Sequence, residues 1–138
     1  MSQLNVRNAL ETKLKEFAQS KSVGVCWENI KFIPTDPKFL RATIFPSPTQ
    51  DPSFGNRHRR YFGLLRVTYY TKDFNSGMGS TIAFVDSLVD YFPRGLQVTA
   101  GTLTTNITNT ASVTMPGYEG AYMFIVVDIP YRADEISA

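Results

Sequence analysis

At 138 residues the chain is long enough to bury a core, since a chain of this size hides roughly 70% of the surface it exposes when unfolded. An apolar content of 43% is well above that of a disordered chain, and a formal net charge of only +2 does not by itself argue for a nucleic-acid binder. One cysteine, Cys26, rules out an internal disulfide and suits a reducing compartment, and with one histidine, His58, leaves too few ligands for a zinc site of the usual kind.

Residues 2–20 place Val6, Leu10, Leu14 and Phe17 at helical spacing, which predicts an amphipathic helix. Its charges also make the segment unlike an export signal, so synthesis in the cytoplasm is expected, and no apolar run reaches the ~20 residues of a membrane helix. Residues 23–33 read as a short extended stretch in which Trp27 is expected in the core or at an interface. FLRATIF, residues 39–45, alternates Leu40, Ala42 and Ile44 against Phe39, Arg41, Thr43 and Phe45, the period of a strand.

The proline-rich segment at about 46–59 is expected as a long, exposed, mobile loop ending in the cluster Arg57, His58, Arg59 and Arg60. A second strand follows over 60–72, with Leu65, Val67 and Tyr69 on one face. A second amphipathic helix is expected over 79–92, with Ile82, Val85, Leu88, Val89 and Phe92 inward and Pro93-Arg94-Gly95 as its stop. The Thr-rich segment at about 96–117 suggests an edge strand or hairpin. Residues 122–130 alternate Met123, Ile125, Val127 and Ile129 inward, a central strand expected to end at Pro130. The order lacks regular βα alternation. It implies an α+β fold in which a mainly antiparallel β-sheet is covered by two α-helices, as a single domain over residues 1–138.

Catalytic readings find little support. His58 stands among arginines in an expected exposed loop rather than beside a nucleophile and an orienting acid, and Cys26 lies in an apolar stretch. The carboxylates, among them Asp51, Asp73, Asp86, Asp90, Asp128, Asp134 and Glu135, form no calcium-loop pattern and read as solvated surface. SGMGST, residues 76–81, lacks the lysine of a phosphate-binding P-loop and the third glycine of a dinucleotide fingerprint. No cofactor and no metal is expected. Tyr61, Phe62, Tyr69 and Tyr70 near the arginines raise the alternative of a single-strand nucleic-acid platform. Strand alternation splits Tyr69 from Tyr70, so core filling plus one surface aromatic is the simpler reading.

NALETKL, VCWEN, FLRATIFP, RRYFGLLRVTYY, VDSLVDYFPRG and IPYRADE, in this order, resemble a family of small phage proteins related to siphovirus tail terminators. The resemblance implies a ring-forming subunit, commonly a hexamer, that caps the finished tail tube, halts its polymerisation and gives head-completion proteins a docking surface. It implies a virion location at the head-proximal end of the tail, assembly in the host cytoplasm, no enzyme activity and no membrane. The implied partners are further copies of the chain, the tail tube protein, a head-completion or neck protein, and DNA passing the lumen without sequence reading. The candidate interface or lumen residues are Arg57, His58, Arg59, Arg60 and Arg132, the last expected to pair with Asp134 or Glu135. Another neck ring protein, or a small single-stranded nucleic-acid-binding module, are the alternatives.

Overall fold

The computed structural model describes residues 2–28, 30, 37–51, 58–72 and 77–136. The elements run α1 (Ser2–Lys21), β1 (Gly24–Cys26), β2 (Lys38–Pro46), β3 (His58–Thr71), α2 (Gly77–Tyr91), β4 (Gln97–Ala100), β5 (Leu103–Ile107), β6 (Ser112–Glu119) and β7 (Tyr122–Ile136). The class is α+β. Helix α1 buries Val6, Leu10, Leu14 and Phe17, the stripe its spacing predicts. It stops where Ser22 turns to a left-handed φ of 57° and the Val23 N–H donates to the Ala18 carbonyl at 3.0 Å, a Schellman-type end.

Helix α2 buries Val85 and Leu88, and Phe92 just past its end is buried too, but Ile82 is 48% exposed, against the expectation that it faces inward. The contact face is centred on Thr81, Val85, Leu88 and Phe92, all buried, and each helical step turns about 100°, which carries Ile82 off that face.

The seven strands form one sheet in the order β1-β2-β3-β7-β5-β4, with β6 also on β7. The sheet is mixed: β1 lies parallel to β2, and the other pairings are antiparallel. Strand β7 is central, and it does not end at Pro130 but continues to Ile136. Its neighbour changes there from β6, last paired at Asp128, to β5, first paired at Tyr131, so the missing proline N–H falls where no ladder needs it. The Pro130 carbonyl still accepts from the Thr108 N–H at 3.2 Å. The Thr-rich segment supplies the β4–β5 hairpin and most of β6; Gly101 and Gly120, at φ 62° and 61°, open the two-residue turns before β5 and β7.

Both helices cover one face. Leu40, Ala42, Leu65, Val67, Tyr69, Ile125, Val127, Ile129, Tyr131 and Ala133 share a single core cluster with α1 and α2, and Tyr69 stacks on Phe84 at 4.2 Å. Tyr70 does point to the opposite face, but it is only 6% exposed rather than a surface aromatic. It stacks on Phe39 at 4.8 Å and meets Tyr122 and Phe124, because the bare face grows its own aromatic cluster at this end of β2, β3 and β7. Burial pushes its phenol pKa up.

Candidate functional site

Strand alternation decides what the uncovered face presents. With Tyr61, Leu65 and Val67 of β3 and Ile129, Tyr131 and Ala133 of β7 turned into the core, the residues between them point away from the helices. The register sets these opposite one another as Arg60 with Asp134, Phe62 with Arg132, Leu64 with Pro130 and Arg66 with Asp128. Charge and apolar surface therefore alternate along the face.

At its end, Asp134 gathers three cationic or potentially cationic side chains. Arg60 Nε donates to Oδ1 at 2.9 Å, His58 Nε2 lies 3.0 Å from the same oxygen, and Arg132 Nε stands 3.4 Å from Oδ2. Burial pushes the Asp134 carboxyl up, but the hydrogen bonds from Arg60 and His58 and the charges of Arg60 and Arg132 outweigh it and hold the group below its ordinary range. Arg59 turns to the other side, 4.0 Å from Glu135, which also accepts from the Tyr61 hydroxyl at 3.3 Å. The cluster is thus largely neutralised from within, while Arg59 and Arg132 keep about half of their side chains in solvent, at 54% and 47% exposed.

This corrects two sequence expectations. His58, Arg59 and Arg60 are not at a loop tip; they open β3, and only Arg57, with the rest of residues 52–57, lies outside the described residues. Before that stretch, Gln50 already pairs with Arg60 through both backbone hydrogen bonds, at 3.0 and 2.7 Å. His58 is not an exposed histidine among positive charges but a partly buried one against a carboxylate. The partners stand 74 to 76 positions apart in the chain, so local sequence gave no sign of them. Arg132 does pair with Asp134, as one of its expected options.

Other members were missed. Asp128, read as solvated, holds Arg66 through two bonds, Nε at 2.8 Å and Nη2 at 3.2 Å, and this hydrogen bonding raises the arginine pKa further. The signal for it was a single charge within the apolar middle of each strand, LLRVTYY and FIVVDIPY. Arg66 also lies 5.0 Å from the Phe45 ring, a cation–π contact. Beside these pairs a surface groove of about 400 Å³ has Phe62, Leu64 and Pro130 along it and Arg60 and Arg132 at its side. A second groove of about 580 Å³ runs between α1 and the end of β1. There Trp27 packs against the core while lining the groove, and Glu28 accepts from Arg7 at 3.2 Å and from the Ile44 N–H at 2.7 Å.

Fixed ion pairs around apolar patches are suited to recognising another macromolecular surface: the charges are already oriented, and little side-chain entropy is left to lose on contact. A family model described as phage tail terminator protein matches residues 5–131. One solved structure is 26% identical, covers 96% of this chain and 96% of its own, and has a TM-score of 0.80. No curated protein matches. With the family match spanning almost the whole sheet and both helices, the chain belongs to the phage tail terminator proteins, structural proteins of the phage tail.

Proposed function

We propose that this protein caps the head-proximal end of the tail tube, ending tube polymerisation, and offers a docking surface to head-completion proteins. In this reading it works as a closed ring of identical subunits, a hexamer, through which DNA passes without being read in sequence. The family membership carries the proposal. The geometry supports it: among the described residues both helices lie on one face of a seven-stranded sheet and none on the other, and that other face is neither uniformly polar nor uniformly charged. The exposed cations Arg59 and Arg132, with Arg57 beyond the described residues, are the side chains we assign to the next subunit, the tube or the lumen.

The test is tube length. Lysates made without this protein should contain tubes of uncontrolled length that never join heads, and supplying it during tube growth should restore a single length and joining. Tubes of normal, uniform length in its absence would refute the capping reading. Changing Arg57, Arg59 and Arg132 together to Ala should impair assembly or DNA passage while the subunit stays folded, and fully infectious tails from that variant would remove these arginines from the role.

A further inference from the structure

A closed ring needs a heterologous seam, in which one patch of each subunit meets a different patch of the next. The two-layer fold has two such unused surfaces, the bare sheet face and the outer side of α2. Met78, Ile82, Asp86 and Asp90 follow one another at i, i+4 spacing along α2. Met78 and Ile82 are 41% and 48% exposed, and Asp86 and Asp90 are exposed as well. This row was not called for by the core, and it is apolar in its first half and acidic in its second. Helix α2 carries these two aspartates and no lysine or arginine.

The bare sheet face has the complementary order. Phe45, Leu64 and Pro130 form its apolar part, and Arg60 and Arg132 follow toward the start of β3 and the end of β7. Counting Arg41, Arg60, Arg66 and Arg132 against Glu119, Asp128 and Asp134, the strands of this face have one more positive than negative group among these residues. The spacings agree. From the middle of Met78 and Ile82 to the middle of Asp86 and Asp90 is about 12 Å along a helix. Along the strands Arg60 lies about 13 Å from Leu64 and Arg132 about 7 Å from Pro130, distances that bracket the helix spacing. Gly79, Ser80 and Ala83, exposed beside the row, are small enough to let the helix backbone approach a sheet.

We infer that the Met78, Ile82, Asp86 and Asp90 row of one copy packs on the bare sheet face of the next, its apolar half over Leu64 and Pro130 and its aspartates toward Arg132. The occupant of the face is a second copy of this chain, and the inference rests on the ring reading above. Because the patches lie on different layers of the domain, each subunit offers both, and the contact is heterologous, the kind that forms a ring where its rotation closes. Asp134 has a positioning part in this: it fixes Arg60 and Arg132 without cancelling both charges.

The test uses the full chain, with ring formation followed by light scattering and negative-stain imaging, alone and at tube ends. Asp86→Arg with Asp90→Arg should lower the ring fraction at least tenfold while circular dichroism stays that of the parent. Arg132→Glu should do the same, and the three changes combined in one chain should restore rings, since every seam then has the reversed pair. In a Cys26→Ser background, Ile82→Cys with Leu64→Cys should give a ladder of disulfide-linked multimers on oxidation. Parent rings that survive Asp86→Arg with Asp90→Arg, or intact rings with no ladder, would overturn the seam and leave the ring reading standing. A parent protein that forms rings neither alone nor on tubes would overturn the ring reading itself. An Arg132→Glu variant with normal rings but lost salt-dependent oligonucleotide binding would reassign the face to nucleic acid.

Discussion

On the helix side of the sheet, Leu65, Val67, Ile129 and Tyr131 meet α1 and α2 and are all but sealed from solvent. On the bare side, the intervening residues of the same two strands are Arg60, Arg66, Asp128, Arg132 and Asp134 in ion pairs, with Phe62, Leu64 and Pro130 between them only partly buried. The first surface is made by removing apolar area from water, which is strong and indifferent to direction. The second gains little from its charges in a solvated setting, but it fixes where each of them stands. Stability belongs to the covered face, on our proposal recognition belongs to the bare one, and substitutions should separate the two.

The largest loss should come from the covered face. Phe92→Ala or Leu65→Ala, at positions with no exposure, should cost about 2–5 kcal/mol, read as a shift in the urea midpoint. A midpoint within error of the parent would show that the core is packed otherwise. Gly63→Ala probes the strand between the faces. A Cβ there would collide with the Phe45 carbonyl oxygen and come within 2.9 Å of Pro46 Cα and of the Tyr131 hydroxyl. A loss of about 1–3 kcal/mol is expected from that overpacking.

Asp134→Asn should cost less, about 1 kcal/mol, because the site is partly solvated. The loss should depend on pH. A carboxyl whose pKa is lowered by folding contributes its stability fully above its unfolded value, near ~3.9, and loses it as pH falls through the lower folded value. Urea midpoints of parent and variant should therefore differ by a constant amount at neutral pH and converge in strong acid. A difference that grew on acidification would contradict the Asp134 cluster. Arg132→Ala should be the mildest, at about 0–1 kcal/mol in the isolated subunit, even though its effect on assembly is expected to be large.

The covered face could be read in the sequence because periodicity reports burial. The Val6, Leu10, Leu14 and Phe17 stripe, Leu65, Val67 and Tyr69 of β3, and Met123, Ile125, Val127 and Ile129 of β7 all went where their spacing sent them. Ile82 did not, since an apolar residue one step off the contact stripe looks the same in sequence as one on it. Pro130 failed as a strand stop because its neighbours, not its own chemistry, decide whether an N–H is needed there. The bare face was least legible. The arginines were visible as a cluster, but their partners on Asp134 and Glu135 come from register, which is a property of the folded sheet rather than of any local stretch.

The most direct measurement of the capping account is imaging of the purified, tagged protein mixed with isolated tail tubes. The account predicts ring-shaped particles at one end of each tube and tubes that no longer elongate when more tube protein is added. Tag spread along the tube walls, or capped tubes that continue to grow at the labelled end, would contradict it.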